Sequence, residues 1–151
     1  MHWSAALLVA LALLGAATAL GFVLRARSGR VVVSRGGGAD ASTAAAALGV
    51  EPAAFGERAT LVQFSTALCS RCPGTARQLG ALAAGTEGVR HLEIDLTDEP
   101  ALAARFAVLQ TPTTLVYDGA GRQRARIGGP PRTEELAELL DSLTRRTRVQ
   151  S

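Results

Sequence analysis

Cys69 and Cys72 are the only two cysteines among 151 residues, and they stand three apart in Cys69-Ser70-Arg71-Cys72. An apolar run, Thr60-Leu61-Val62-Gln63-Phe64, comes just before them, and a helix-like stretch follows from Pro73. Two thiols at this spacing fit on one turn and bridge with little backbone movement. A helix N-terminus offers free N–H groups and the positive end of a dipole. That setting favours thiolate, the form of cysteine that attacks disulfides. Two cysteines at this spacing also suit zinc, but a structural zinc site needs four ligands. The remaining histidine of this part of the chain, His91, is remote in sequence, so no metal site is expected.

The elements that must position this pair follow from pattern. Residues 60–65 are apolar enough for a central strand covered on both faces. Residues 70–84 read as a helix, with Ala76, Leu79, Leu82 and Ala83 at helical spacing and Pro73 in the first turn. Residues 89–95 are a second strand. Residues 99–106 are a short helix, with Asp98 as N-cap and Pro100 at its start. Strands at 113–117 and 123–127 flank the turn Asp118-Gly119-Ala120-Gly121, which predicts an antiparallel pair. Residues 133–146 form a last helix with the apolar stripe Leu136, Leu139, Leu140 and Leu143. Thr133 is its expected N-cap, and Arg145 and Arg146 fill its last turn. The order β-α-β-α-β-β-α predicts an α/β domain with a mixed sheet and helices on its faces.

The N-terminus is of another kind. From Trp3 to Leu24 there is no charge, and 22 residues of helix reach about 33 Å, against roughly 30 Å of hydrocarbon. A cleaved signal peptide is the alternative, with Ala17-Thr18-Ala19 as a small-residue site. The run is long for a signal core and has no basic residue before it, which favours an anchor over residues 1–24. Trp3 sits at one end of it, as an interfacial aromatic would.

All 16 basic residues are arginine. Arg25, Arg27, Arg30 and Arg35 follow the anchor, which leaves 12 arginines against 13 carboxylates from Gly36 onward, a net of −1. The basic character therefore belongs to a juxtamembrane segment suited to anionic lipid, not to a nucleic-acid surface. The positive-inside rule places these arginines, and the cysteine domain with them, in the cytoplasm, because the far side offers only the α-amino group and His2. The alternative is an extracytoplasmic domain. Residues 25–56 read as this basic segment and a flexible linker, with Gly36-Gly37-Gly38 at its centre and the alanines at 44–47 adding a weak helical turn. Val31-Val32-Val33 is either a short strand or an extended exit from the membrane. The compact domain is expected over 57–147, with a tail at 148–151.

From about residue 57 to 146 the chain resembles a thioredoxin-fold domain, of the membrane-anchored kind found in bacteria. The resemblance rests on the strand-C-x-x-C-helix unit, on Ile94-Asp95 followed by Thr111-Pro112-Thr113-Thr114-Leu115, and on the turn before Gly128. It implies a thiol–disulfide oxidoreductase. Cys69 would be the nucleophile and Cys72 the resolving thiol. Pro112 would be a cis-proline facing the sulfurs, and the Thr111 backbone would pair with an extended peptide substrate. No cofactor is implied; electrons pass to or from protein partners. Two positions depart from the family pattern. Leu68 stands where an aromatic is usual, and Gln63 stands where a buried carboxylate is common. Gln63 cannot exchange a proton near neutral pH, so a thioredoxin-fold binding module with little turnover is a competing reading. Arg71, between the cysteines, is expected to stabilise the Cys69 thiolate. An extracytoplasmic reductant for haem-attachment or envelope thiols is the reading that requires the opposite membrane orientation.

Overall fold

The computed structural model describes residues 3–33 and 40–150. His2, Arg35, the glycines at 36–38 and Ser151 lie outside the described residues. In chain order the elements are α1 (Trp3–Arg27), β1 (Val32–Val33), α2 (Ala41–Leu48), a 3₁₀ turn (Pro52–Ala54), β2 (Ala59–Ser65), α3 (Cys72–Ala84), β3 (Val89–Asp95), α4 (Pro100–Arg105), β4 (Thr113–Asp118), β5 (Gln123–Gly128) and α5 (Thr133–Gln150).

One five-stranded mixed sheet runs in the order β1-β5-β4-β2-β3. Its interior strand β2 is buried at all seven residues. It pairs in parallel with β3 and antiparallel with β4. The period of two along each strand sorts the core into two layers. Leu61, Val116, Ala125 and Ile127 face Leu79 of α3 and Leu136, Leu140 and Leu143 of α5. Val62, Phe64, Leu115 and Tyr117 face the other way, against Ala44, Ala45 and Leu48 of α2 and, at the margin, Leu102 and Phe106 near α4. The leucine stripe of α5 thus packs on the sheet.

Several boundaries differ from the sequence reading. Helix α3 starts at Cys72 rather than residue 70, because Ser70 and Arg71 belong to the turn that presents the cysteines. Helix α4 is capped by Glu99, with no side-chain bond from Asp98, since Pro100 already occupies its first turn. The valines resolve as a strand: Val32 and Val33 pair antiparallel with Arg126 and Ala125 and cover the outer edge of β5.

The larger correction lies in the expected linker. Residues 41–48 form a docked helix, with Ala45 fully buried and Leu48 3% exposed. Its caps are ordinary signals. The Asp40 carboxylate accepts from the Thr43 N–H at 2.7 Å, and Gly49 closes the helix at φ +70°. Small alanines let the helix lie close to the sheet. At Gly121, φ +78°, a side chain would meet the Ala41 backbone at 2.3 Å, so the β4–β5 turn is held against this helix.

The Thr43 and Ser42 hydrogen bonds hold the Asp40 carboxyl down at about 2, against 3.8 for the free group. A depressed folded pKa means stability present above pH ~4 and lost as pH falls through about 2. Asp40→Ala is therefore expected to lower Tm at pH 5, with the gap to the unmodified chain closing between pH 4 and pH 2 in thermal scans.

Helix α1 stands apart from both layers. Residues Ala6–Ala26 have mean hydropathy 2.5 and none of that window is buried. It is long and apolar enough to cross a membrane, by length and composition.

Candidate active site

Strand β2 ends at Ser65, deep in the sheet, and the chain then turns out to the surface before α3 begins. The Cys69 N–H donates to the Thr66 carbonyl at 3.0 Å, and the Cys72 N–H to the Cys69 carbonyl at 3.2 Å. This tight double turn brings the two cysteines to a Cα–Cα distance of 5.4 Å, joined by a disulfide of 2.11 Å. They are not equivalent. Cys72, in the first turn of α3, is 2% exposed, whereas Cys69 is partly open to solvent. Pro73 follows at a position where its missing N–H costs no helix bond.

Opposite them the Thr111–Pro112 peptide is cis. The Thr66 and Thr111 hydroxyls lie 3.2 Å apart and tie the two loops together. Thr66, Leu68, Cys69, Ser70, Arg71 and Thr111 line one shallow hollow. The cysteine turn and the proline loop, about 40 residues apart in sequence, thus form a single surface. Arg71 lies on its rim, exposed, and its guanidinium makes no ion pair among the described residues. Leu68 is 98% exposed on the same rim, and Leu109, 94% exposed, precedes the proline loop.

Supporting contacts come in part from residues the sequence did not mark, Arg126 and Thr97 among them. Arg126 of β5 donates to the carbonyls of Phe106 and Ala107 at 2.8 and 2.6 Å, holding the end of α4 from which the proline loop departs. Thr113 Oγ1 donates to the Gln110 carbonyl at 2.7 Å and closes that loop. On the cysteine side, Asp95 accepts from both the N–H and the hydroxyl of Thr97, and Thr97 Oγ1 accepts from the Ala67 N–H at 2.9 Å. The Thr97 bonds hold the Asp95 carboxyl below its usual range. The Arg126 and Thr97–Ala67 contacts have no local sequence signature, because each joins segments distant along the chain.

Gln63 lies beneath the pair, fully buried. Its Nε2 donates to the Cys72 carbonyl at 3.1 Å and approaches Glu93 Oε1 at 3.4 Å, and its Oε1 has no hydrogen-bond partner. A neutral amide is therefore bonded to the Cys72 backbone. His91, the residue weighed as a metal ligand, lies on β3 with its pKa lowered by burial. The described residues contain no group of three or more His, Cys, Asp or Glu side chains placed to hold a metal ion.

The arrangement joins a half-exposed sulfur, a buried partner sulfur at a helix start, and a cis-proline loop alongside. The family model for thioredoxin matches residues 52–142, more than half of the chain. The chain belongs to the thioredoxin family. A thioredoxin of Staphylococcus aureus is 35% identical over 82 residues, covering 54% of this chain and 78% of that protein. Among solved structures, a point mutant of thioredoxin from Halobacterium salinarum NRC-1 superposes with a TM-score of 0.52 at 25% identity, over 58% of this chain and 76% of that one. Fasciola hepatica thioredoxin superposes with a TM-score of 0.50 at 24% identity, over 58% and 83%, and that likeness concerns the fold. Membership and the paired cysteines make this a thiol–disulfide oxidoreductase, and the thioredoxin fold implies protein disulfides as its substrates.

Proposed function

We propose that the chain is a membrane-tethered oxidoreductase in which Cys69 attacks and Cys72 resolves. The observation that carries the assignment of roles is the difference in burial between the two sulfurs, since only an exposed one can meet a protein disulfide. In the reducing direction, the Cys69 thiolate attacks one sulfur of the substrate disulfide, and the other substrate sulfur leaves as a thiol after taking up a proton. Cys72, deprotonated, then attacks Cys69 of the mixed disulfide and releases the second substrate thiol. The substrate gains two electrons and two protons, and the enzyme is left with the Cys69–Cys72 disulfide. A protein dithiol donor returns it to the start. In this reading the Thr111 backbone beside cis-Pro112 receives the substrate as an added extended segment.

Helix α1 supplies the tether, and the arginines at and beyond its end supply attraction to anionic headgroups. The same charges favour a cytoplasmic catalytic domain. Two assays test the proposal together. Insulin reduction with dithiothreitol is expected to be accelerated by the unmodified chain; an inert protein with both cysteines intact would favour a binding module instead. Reporter fusions at the C-terminus are expected to report the cytoplasm, and a periplasmic or external signal would transfer the assignment to an extracytoplasmic thiol reductant.

Arg71 is proposed to tune the nucleophile. At about 6 Å and an effective dielectric near 40, a guanidinium stabilises a thiolate by roughly 1.4 kcal/mol, near one pKa unit. Arg71→Ala is expected to raise the Cys69 thiolate pKa by about that amount in pH-dependent alkylation of the reduced protein. An unchanged titration would remove Arg71 from the mechanism.

A further inference from the structure

The end of α1 is bonded into the catalytic domain rather than connected to it by a loose tether. The Gly29 N–H donates to the Gly128 carbonyl at 2.8 Å, and the Arg132 N–H donates to the Gly29 carbonyl at 3.3 Å. Arg132 Nη2 reaches back to the Ala26 carbonyl at 2.8 Å, at the last residue of the apolar span. The Val31 N–H donates to Glu135 Oε2 at 3.1 Å, and the other oxygen of that carboxylate accepts from Arg132 Nη1 at 2.9 Å. Gly29 is buried at φ +77°, and a side chain there would meet the Pro130 carbonyl oxygen at 2.3 Å, so the approach is as close as backbone permits. Val32 and Val33 then continue into the sheet beside β5.

The segment that receives these bonds is also the one behind the substrate loop. The Gly129 N–H donates to the Pro112 carbonyl at 2.8 Å, and Gly128 pairs with Thr113. Between Gly29 and cis-Pro112 there are thus only the Gly128–Gly129 peptide and one hydrogen bond on either side of it. Three residues of chain from Ala26 to Gly29 reach about 10 Å at most. The path from there to Pro112 adds on the order of 10 Å, taking two hydrogen-bond lengths and one residue of chain. The headgroup layer on each side of a bilayer is roughly 5–7 Å thick. A free linker of about 30 residues would instead let the domain range over about 30 Å.

We propose that this junction fixes the catalytic hollow against the bilayer surface, so that its preferred partner is a disulfide presented at that surface by an integral membrane protein. The proposal rests on the tethered-oxidoreductase reading and adds the class of partner to it. The chemistry is the exchange already described, in which the Cys69–Cys72 dithiol becomes a disulfide as the substrate disulfide becomes two thiols, with dithiothreitol as the reductant in the assay.

The test uses the full chain reconstituted in anionic vesicles with the domain outward. Three substrates are compared: soluble insulin, a lipid-anchored disulfide peptide with its cystine next to the lipid, and the same peptide raised on a long Gly/Ser spacer. The unmodified chain is expected to reduce the surface peptide about tenfold faster than the raised one, as a matched span would dictate. A Gly/Ser insertion of about 15 residues between Arg27 and Ser28 gives the domain about 20 Å of free reach. It is expected to bring the two peptide rates within about twofold of each other while leaving insulin reduction unchanged. The double substitution Arg132→Ala, Glu135→Ala is expected to move the ratio in the same direction, without altering chain length. Equal rates on both peptides with the unmodified chain, or an insertion variant that keeps the full preference, would overturn the proposal. Absence of insulin reduction would overturn the oxidoreductase reading, and failure of the chain to float with vesicles would overturn the tether. Either of those results removes this proposal along with its parent, and each is distinguishable from a chain that floats, reduces insulin and shows no preference.

Discussion

Cys72→Ser is expected to halt the protein at a mixed disulfide, whereas Cys69→Ser is expected to form no adduct at all. The asymmetry follows from burial. Cys69 is partly open and lines the hollow, while Cys72 is 2% exposed behind it in the first turn of α3. Without Cys72 the first attack still proceeds, but no neighbouring sulfur displaces the substrate, so the covalent complex accumulates. Without Cys69 the remaining thiol cannot reach a protein disulfide. Catalysed insulin reduction should fall ~100-fold or more in both variants, to the dithiothreitol background. Mass spectrometry after incubation with a substrate under non-reducing conditions distinguishes them. Adduct with Cys69→Ser and none with Cys72→Ser would reverse the roles proposed for the two cysteines.

Leu48→Ala is expected to destabilise the domain by about 2–5 kcal/mol, the cost of removing a buried leucine and leaving part of a cavity. Leu48 is 3% exposed and belongs to the same apolar layer as Phe64, Leu115 and Tyr117. A linker leucine at that position would give a change within about 0.5 kcal/mol. Urea unfolding of the detergent-solubilised chain, followed by near-UV dichroism, separates the two cases. Tyr117, the only tyrosine, packs edge-on against Phe55 at 5.6 Å between ring centres in this layer and should report its loosening. The family match begins at residue 52, so α2 lies outside the matched residues.

The two predictions differ in how far the sequence alone led to them. The cysteine pair was legible because its signals are local. Spacing puts two sulfurs on one turn, an apolar run with β-branched members makes the strand before it, and a 3.6-residue pattern makes the helix after it. Helix α2 was read only as a weak helical turn at 44–47 within a linker, although its signals were present: Asp40 as N-cap, Thr43 three residues on, and Gly49 as a left-handed stop. Its alanines carry too little apolar surface to set them apart from a flexible segment. What makes them a core element is the sheet face they cover.

The role of Pro112 came from the family resemblance, whereas composition and period determined the α/β class, the apolar N-terminal helix and the position of the cysteine turn with Pro73 after it. These depend on residues within a few positions of one another, where backbone geometry and side-chain periodicity act directly. The tertiary structure decided what crosses long separations. It set the neutral Gln63 amide under Cys72, stretched the Arg126 guanidinium across to the end of α4, and bonded the Gly29–Val31 exit to Gly128, Arg132 and Glu135. Such contacts form only when sheet register brings distant polar groups within about 3 Å, and where they are buried, as at Gln63 Nε2, leaving them unpaired is costly. No single stretch of the chain records that outcome.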